Sequence, residues 1–296
     1  MRQKIRYIPS SIIALSCTLL LFCSVLNFSH AGMVSDTVET IALTRNPVEG
    51  SPPVTLSYIL IKIENAAGTV ILFIGGDGRA FLSDWQIGIR NTNFLMRTRH
   101  HLAAEGFNVV VIDAASDFLQ SPSGLFERRT GIEHLSDIAA VINDLPGKLG
   151  ADPGPICLIG TSMGTVSAGA YAAEAASNSI LPKIGSIILT ASVTRQINDD
   201  YRENLLDNVA LEAINVPCYL IAHENDTCYV TPPSDIAIMK SRIKVNSPKV
   251  NHKLFAGGTA ALTPECDALS AHGFFGIEQK LVSNIGKWIR NQINNE

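Results

Sequence analysis

Short apolar runs alternate with helical patterns along most of the chain. The apolar runs predict strands at 54–63, 69–74, 107–112, 155–159, 184–190, 216–222 and 250–255. The helical patterns predict helices at 93–105, 132–149, 164–176 and 276–294. Because apolar strands separated by helices need crossover connections, this order predicts a central, mostly parallel, twisted sheet with helices on both faces.

The first 31 residues carry the pattern of a secretory signal peptide. Three basic side chains precede an apolar run at 12–26, and small residues lead up to Ala31, where we place the cleavage. The alternative is an uncleaved membrane anchor, but the apolar run is short for a bilayer span. The sequence therefore predicts an exported protein, periplasmic or extracellular, whose mature part, residues 32–296, forms a single domain without a further membrane segment.

Composition narrows the class of protein. Of the 296 residues, 46% are hydrophobic and 17% are charged, which excludes a disordered chain. The net charge of -4 and the lack of a basic cluster argue against binding to nucleic acid. No cysteine or histidine group has the spacing of zinc ligands, so we expect no metal and no cofactor.

The central chemical signal is the stretch Gly160-Thr161-Ser162-Met163-Gly164. This G-x-S-x-G follows an apolar strand directly and opens an alanine-rich helix, which is the setting of a nucleophile elbow. The two glycines leave room for the tight turn that presents Ser162. The sequence therefore predicts Ser162 as a nucleophile, against the alternative of an ordinary glycine-rich turn.

A serine nucleophile needs a base, and the base needs an orienting acid. Asp226 follows the strand at 216–222 and is our candidate acid, with Glu224 as the near alternative and Asp199 and Asp200 as more distant ones. His272, between the last strand and the closing helix, is the candidate base. We interpret the other histidines that could compete as surface or structural residues: His100, His101, His134, His223 and His252.

An oxyanion hole needs backbone N–H groups that point at the developing negative charge. Met163 follows the nucleophile and supplies one of them. The turn Gly75-Gly76-Asp77 follows an early strand, and we expect Gly76 or Asp77 to supply the second. The same turn lacks the third glycine of a dinucleotide fingerprint, so a nucleotide site is not expected there.

Four stretches, ILFIGGDG, CLIGTSMG, IAHEND and SAHGF, together resemble the α/β-hydrolase family. The resemblance spans nearly all of the mature chain and implies a three-layer α/β-hydrolase fold and acyl transfer to water. Many members have His-Gly at the oxyanion turn where this chain has Gly75-Gly76. The short connection after Thr190 resembles that of lidless members, with the loop at 114–130 expected to wall the mouth of the site.

The leading hypothesis is an exported serine hydrolase that cleaves an ester of a small-molecule or acyl substrate. A serine peptidase or an acyltransferase could use the same residues, and a non-catalytic binding module could keep the same fold. The sequence does not indicate the oligomeric state.

Two cysteines lie close to the proposed acid and base. Cys228 follows Asp226 by two residues and Cys266 precedes His272 by six. If the fold brings acid and base together, an exported chain can join these cysteines. We therefore predict a Cys228–Cys266 disulfide, whereas Cys157 and Cys218 lie in apolar strands and are expected to be buried thiols.

Overall fold

The computed structural model describes residues 35–45, 52–82 and 92–294. The signal peptide predicted for residues 1–31 lies outside the described residues. Eight strands are seen in the described part: β1 Thr37–Ala42, β2 Thr55–Ile61, β3 Thr69–Phe73, β4 Asn108–Ile112, β5 Ile156–Thr161, β6 Ser186–Thr190, β7 Cys218–His223 and β8 Val250–Phe255.

These strands form one sheet in the order β1-β2-β4-β3-β5-β6-β7-β8. From β4 through β3 to β8 every neighbouring pair is parallel, while β1 pairs with β2 and β2 with β4 in antiparallel fashion. The predicted mostly parallel sheet is therefore confirmed. Because the parallel strands all end at the same edge, the loops that follow β3, β5 and β7 meet there.

Helices cover the sheet on both faces. They are α1 Phe94–Ala104, α2 Ser116–Leu119, α3 Ile132–Leu149, α4 Gly164–Ser177, α5 Leu205–Asn208, α6 Ile236–Ile243 and α7 Glu278–Ile293. Alternate strand residues divide between two apolar layers, since Ile71 packs with the side that holds α3, α4 and α6, and Leu72 with the side that holds α1 and α7. This alternation is the period-two pattern of a sheet buried on both faces.

Four elements were not predicted from the sequence: strand β1, helix α6 and the two four-residue helices α2 and α5. Half of the side chains of strand β1 are polar and none is fully buried, as is common for an edge strand. Helix α6 is only eight residues long and buries three of them, so its apolar period is brief. Within the described residues, no helix is both long and apolar enough to cross a membrane.

Candidate active site

Ser162 stands in the sharp turn between β5 and α4. Its φ is 53°, in the left-handed region that side chains other than glycine rarely adopt, and its side chain is only partly buried. The Ser162 N–H donates to the Thr190 carbonyl at 3.0 Å, and the Ser162 carbonyl accepts the Thr165 hydroxyl at 2.6 Å. The turn is therefore held from both sides, and strain of this kind clusters at functional sites.

The two flanking glycines are required by backbone contacts. A Cβ on Gly160 would lie 2.4 Å from the Gly164 carbonyl oxygen, and one on Gly164 would lie 2.0 Å from the Phe73 carbonyl oxygen. Both distances are far inside van der Waals contact. The glycines thus let α4 start directly against β3 and leave Ser162 at the tip of the turn.

The turn after β3 lies against Ser162. A Cβ on Gly75 would be 2.8 Å from the Ser162 Cβ. Gly76, with φ of 63°, lines the same cleft as Ser162, whereas Asp77 does not line it and its carboxylate pairs with Arg79 at 2.6 Å. Of the two residues expected as the second oxyanion donor, Gly76 lines the cleft and Asp77 does not. Met163, expected as the first donor, is buried and is also not among the lining residues.

Asp226 and His272 meet beside this turn. The His272 Nδ1 is 3.1 Å from the Asp226 Oδ2, although the two residues are 46 apart in the chain. The Asp226 side chain is fully buried and His272 is 5% exposed. Since Nδ1 faces the carboxylate, the ring's other nitrogen, Nε2, is left for chemistry in the cleft that His272 lines together with Ser162.

Thr231 is a third member of this contact, and the sequence analysis did not identify it. Its hydroxyl is 2.9 Å from the Asp226 Oδ2 and 3.1 Å from the His272 Nδ1. The other carboxylate oxygen, Oδ1, accepts the Cys228 N–H at 3.0 Å. The buried carboxylate therefore has several donors, and that satisfies a charged group withdrawn from water. A threonine in a loop carries no motif that could have marked it.

The structure joins Cys228 to Cys266, the pair that the sequence analysis expected, with a Cα–Cα distance of 4.7 Å. The Cys228 N–H donates to the Asp226 carboxylate, and Cys266 lines the cleft. The bridge therefore ties the loop that carries Asp226 to the loop that carries His272. Cys157 and Cys218 are free and buried, and burial raises the pKa of the Cys157 thiol to about 12.

The alternatives to Asp226 as the acid and to His272 as the base lie outside this contact. Glu224, Asp199 and Asp200 are exposed, and the exposed His252 ring contacts Lys240. The His223 ring is buried between the Gly257 carbonyl and the Asn225 N–H, which is a structural arrangement. His134 is buried against Ser167, and His100 contacts Asp36 at the surface.

A cleft of about 290 Å³ opens over Ser162 and His272. One wall is Thr92 to Phe94 and the opposite wall comes from the 263–273 loop. None of the residues of the 114–130 loop, which was expected to wall the mouth, is among those that line this cleft. That loop packs against the oxyanion turn instead, with the Leu125 N–H on the Asp77 carbonyl at 2.8 Å.

The segment after the oxyanion turn is fixed by a buried carboxylate, Asp113, at the end of β4. Its oxygens accept the N–H groups of Ala80 at 2.6 Å and Leu82 at 2.8 Å. Burial raises the pKa of Asp113 to about 6, and the backbone donors oppose that rise. Asp113 thus holds the chain that leaves the turn, and no motif in the sequence marks it.

Solved structures resemble this chain over most of its length. An esterase of Pyrococcus furiosus superposes with a TM-score of 0.58 at 17% identity, covering 88% of this chain and 93% of the esterase. A sugar hydrolase of Lactococcus lactis gives 0.57 at 15% identity, covering 88% and 99%. A peroxisomal α/β-hydrolase of Saccharomyces cerevisiae gives 0.55 at 12% identity, covering 88% and 90%.

The chain has the α/β-hydrolase fold. No protein-family model matches the sequence, and no curated protein matches it. The α/β-hydrolase fold is therefore identified by the arrangement of the strands and by these superpositions, and not by sequence identity. Among the residues that the structure describes, no group of histidine, cysteine and acidic side chains is placed to hold a metal ion.

Proposed function

We propose that this protein is an exported serine hydrolase that cleaves a small ester through an acyl-enzyme. The observation that carries the proposal is one cleft lined by Ser162, Gly76 and His272, with the His272 Nδ1 on the buried Asp226 carboxylate. A nucleophile, a base and an orienting acid in this relation are the groups that acyl transfer needs. The esterases among the similar structures are consistent with this chemistry.

In the proposed mechanism, the Ser162 Oγ attacks the acyl carbon while the His272 Nε2 takes its proton. Asp226 keeps the imidazole in the tautomer whose Nδ1 carries hydrogen and stabilises the imidazolium that forms. The N–H groups of Met163 and Gly76 hold the oxyanion. His272 then returns the proton to the departing alcohol, and water, activated in the same way, releases the acid and restores Ser162.

The cleft suggests the size of the substrate. Its volume of about 290 Å³ lies at the small end of the range for ligand sites, and its walls include polar side chains such as Asn93, Thr263 and Asp267. A long acyl chain would find little apolar surface there. We therefore infer that short esters are the preferred substrates.

Export forms part of the proposal. The pattern at residues 1–31 is that of a cleaved signal peptide, and the Cys228–Cys266 bridge suits a compartment that permits disulfides. N-terminal sequencing of the secreted protein should begin at Gly32. A mature protein that retains the apolar run at 12–26 would contradict cleavage.

The test combines covalent labelling with turnover. A fluorophosphonate probe should modify the mature wild-type protein on Ser162, located by peptide mass mapping, and should not modify Ser162→Ala. Nitrophenyl acetate and butyrate should be hydrolysed faster than the octanoate and the palmitate, and Ser162→Ala should lose about 10⁶-fold in turnover. Absence of labelling would indicate a binding module, and faster cleavage of matched amides would indicate a peptidase.

A further inference from the structure

The largest fully buried side chain in the described part of the protein is Arg129, and it lies under the proposed oxyanion turn. Only 1% of this residue is exposed. Long basic residues are almost never fully buried unless their donors are satisfied, and guanidinium stays charged in proteins. The position of Arg129 therefore calls for an explanation in terms of what it contacts.

The guanidinium contacts both sides of the oxyanion hole. Its Nη2 donates to the Gly76 carbonyl at 2.9 Å and to the Ile74 carbonyl at 3.4 Å. Its Nη1 donates to the Ser167 hydroxyl at 2.8 Å. Ser167 lies on α4 one turn after Met163, so one side chain connects the turn that carries Gly76 to the helix that carries Met163.

These contacts fix the direction of the Gly76 N–H. Arg129 holds the carbonyls of Ile74 and Gly76, which belong to the peptide groups on either side of the Gly75–Gly76 peptide. The Gly75 carbonyl itself accepts the Gly78 N–H at 3.4 Å. Because the C=O and N–H of a trans peptide point in opposite directions, the Gly76 N–H is directed away from the interior of the turn.

Further hydrogen bonds hold Arg129 and its partner Ser167 in place. The Arg129 N–H donates to the Glu203 carboxylate at 3.2 Å, and the same carboxylate accepts the Thr130 hydroxyl at 2.8 Å. Ser167, which accepts from Arg129, is 2.9 Å from the His134 Nε2. Burial, with the nearby Arg129 charge, lowers the pKa of His134 to about 3, so the ring is neutral and can accept the Ser167 proton.

We propose that Arg129 is a positioning residue that fixes the two N–H donors of the oxyanion hole, on Gly76 and on Met163, relative to each other. This inference rests on the proposed function, since it assigns a role in the same reaction. Arg129 affects the transition state, in which negative charge develops on the substrate oxygen. Preorganised donors stabilise that state more than they stabilise the bound ester.

The test compares Ser167→Ala, which removes the helix end of the clamp, with Arg129→Lys, which keeps the charge but loses the fork of donors. Removal of one oxyanion donor is worth about 10²–10³ in kcat, so misplacement should lower kcat about 10-fold in Ser167→Ala and about 10²-fold in Arg129→Lys. KM should change less than about threefold, because ground-state binding is retained.

A second readout separates positioning from simple structural support. Butylboronic acid forms an anionic tetrahedral adduct with a serine nucleophile, so its inhibition constant should rise in each variant by the factor by which kcat/KM falls. Arg242→Lys is the matched control, because Arg242 also donates to backbone carbonyls, those of Leu206 and Val209, away from the cleft. It should leave kcat and boronate affinity unchanged.

Variants that lose thermal stability but keep the wild-type kcat and boronate affinity would overturn the inference. If Arg129→Lys fails to fold, the kcat and boronate affinity of Ser167→Ala alone test the inference. A wild-type protein that neither binds the boronate nor hydrolyses esters would overturn the proposed function, and the inference with it. Failure of the proposed function can be distinguished from failure of the inference, because it is seen in the wild-type protein and needs no variant.

Discussion

The two halves of the candidate site are built in different ways. On the serine side, the geometry comes from the backbone: a residue in the left-handed region, glycines that touch carbonyl oxygens, and N–H groups at the ends of β3 and β5. On the acid and histidine side, it comes from side chains: a carboxylate, a hydroxyl and an imidazole from distant loops, with a disulfide between those loops.

The difference shows how each half can fail. We call the serine side the backbone half and the acid and histidine side the side-chain half. The backbone half is encoded within a few consecutive residues and tolerates almost no added side-chain volume. A side-chain half depends on partners that lie far apart in the chain, so the loss of one partner changes chemistry more than it changes folding.

The largest effect is expected on the side-chain half, at the base. His272→Ala should lower kcat by about 10⁶-fold, close to the loss for Ser162→Ala, because residues that act as a unit fail together. His252→Ala, an exposed histidine on β8, should keep wild-type turnover. Steady-state kinetics on nitrophenyl acetate would check both, and damage by the His252 change instead would transfer the role of base.

Next comes the acid. Asp226→Asn keeps the shape but no longer holds the Nδ1–H tautomer, so kcat should fall about 10⁴-fold with the fold intact. Glu224→Gln, two residues away and exposed, is the control and should be near neutral. Circular dichroism with kinetics would measure the pair. If the Glu224 variant were the weaker enzyme, the acid would be misassigned.

The backbone half should respond through folding. Gly164→Ala forces a Cβ against the Phe73 carbonyl, so we expect a loss of about 3 kcal/mol in the free energy of unfolding. Gly147→Ala is the control, because a Cβ there meets nothing within 4 Å and the helix should gain about 0.5–1 kcal/mol. Urea denaturation measures both, and equal stability of the two variants would refute the close-contact argument.

The disulfide is the exception within the side-chain half, because its loss should affect stability more than chemistry. Replacing both Cys228 and Cys266 by alanine removes a bridge that closes 38 residues, so stability should fall by up to about 4 kcal/mol. We expect kcat to fall about 10-fold, because the acid and histidine loops lose their tie. Thiol titration of the denatured, unreduced mature protein should find Cys157 and Cys218 only, and four free thiols would exclude the bridge.

The smallest effect is expected at Thr231. Thr231→Val removes a hydroxyl that bonds the buried Asp226 carboxylate, and one hydrogen bond of about 1 kcal/mol corresponds to about fivefold in kcat. Thr227→Val, at an exposed position in the same loop, is the matched control. An unchanged rate in both variants would show that the Cys228 N–H and His272 suffice to hold the acid.

Local patterns were enough for most of the fold. Helix α3 and strand β8 have the bounds that the sequence predicted, because their periods and flanking residues are clear. Strand β1 could not be predicted because half of its side chains are polar and none is fully buried. The sharp turn at Ser162 could be predicted because its geometry depends on neighbours in the chain, and Asp226 and His272 were proposed from the chain order that the family resemblance implies.

The remaining residues could not be predicted for a physical reason. Arg129 lies in an irregular stretch and would be read as a surface arginine, since nothing near it in the sequence indicates burial. Thr231 and Asp113 act through partners that only the folded chain brings close. Such roles depend on three-dimensional contacts and leave no spacing in the sequence.

The two buried thiols give the disulfide a consequence for biosynthesis. Cys157 and Cys218 sit inside β5 and β7, where oxidants cannot reach them once the sheet has formed. If residues 32–296 meet an oxidant before that point, the four thiols of this part compete, and we expect mispaired products. The folded sheet thus shields Cys157 and Cys218 from oxidation, and we expect the Cys228–Cys266 pairing when folding precedes oxidation. Refolding under reducing conditions followed by air should give a single species, whereas refolding in oxidant should give a mixture.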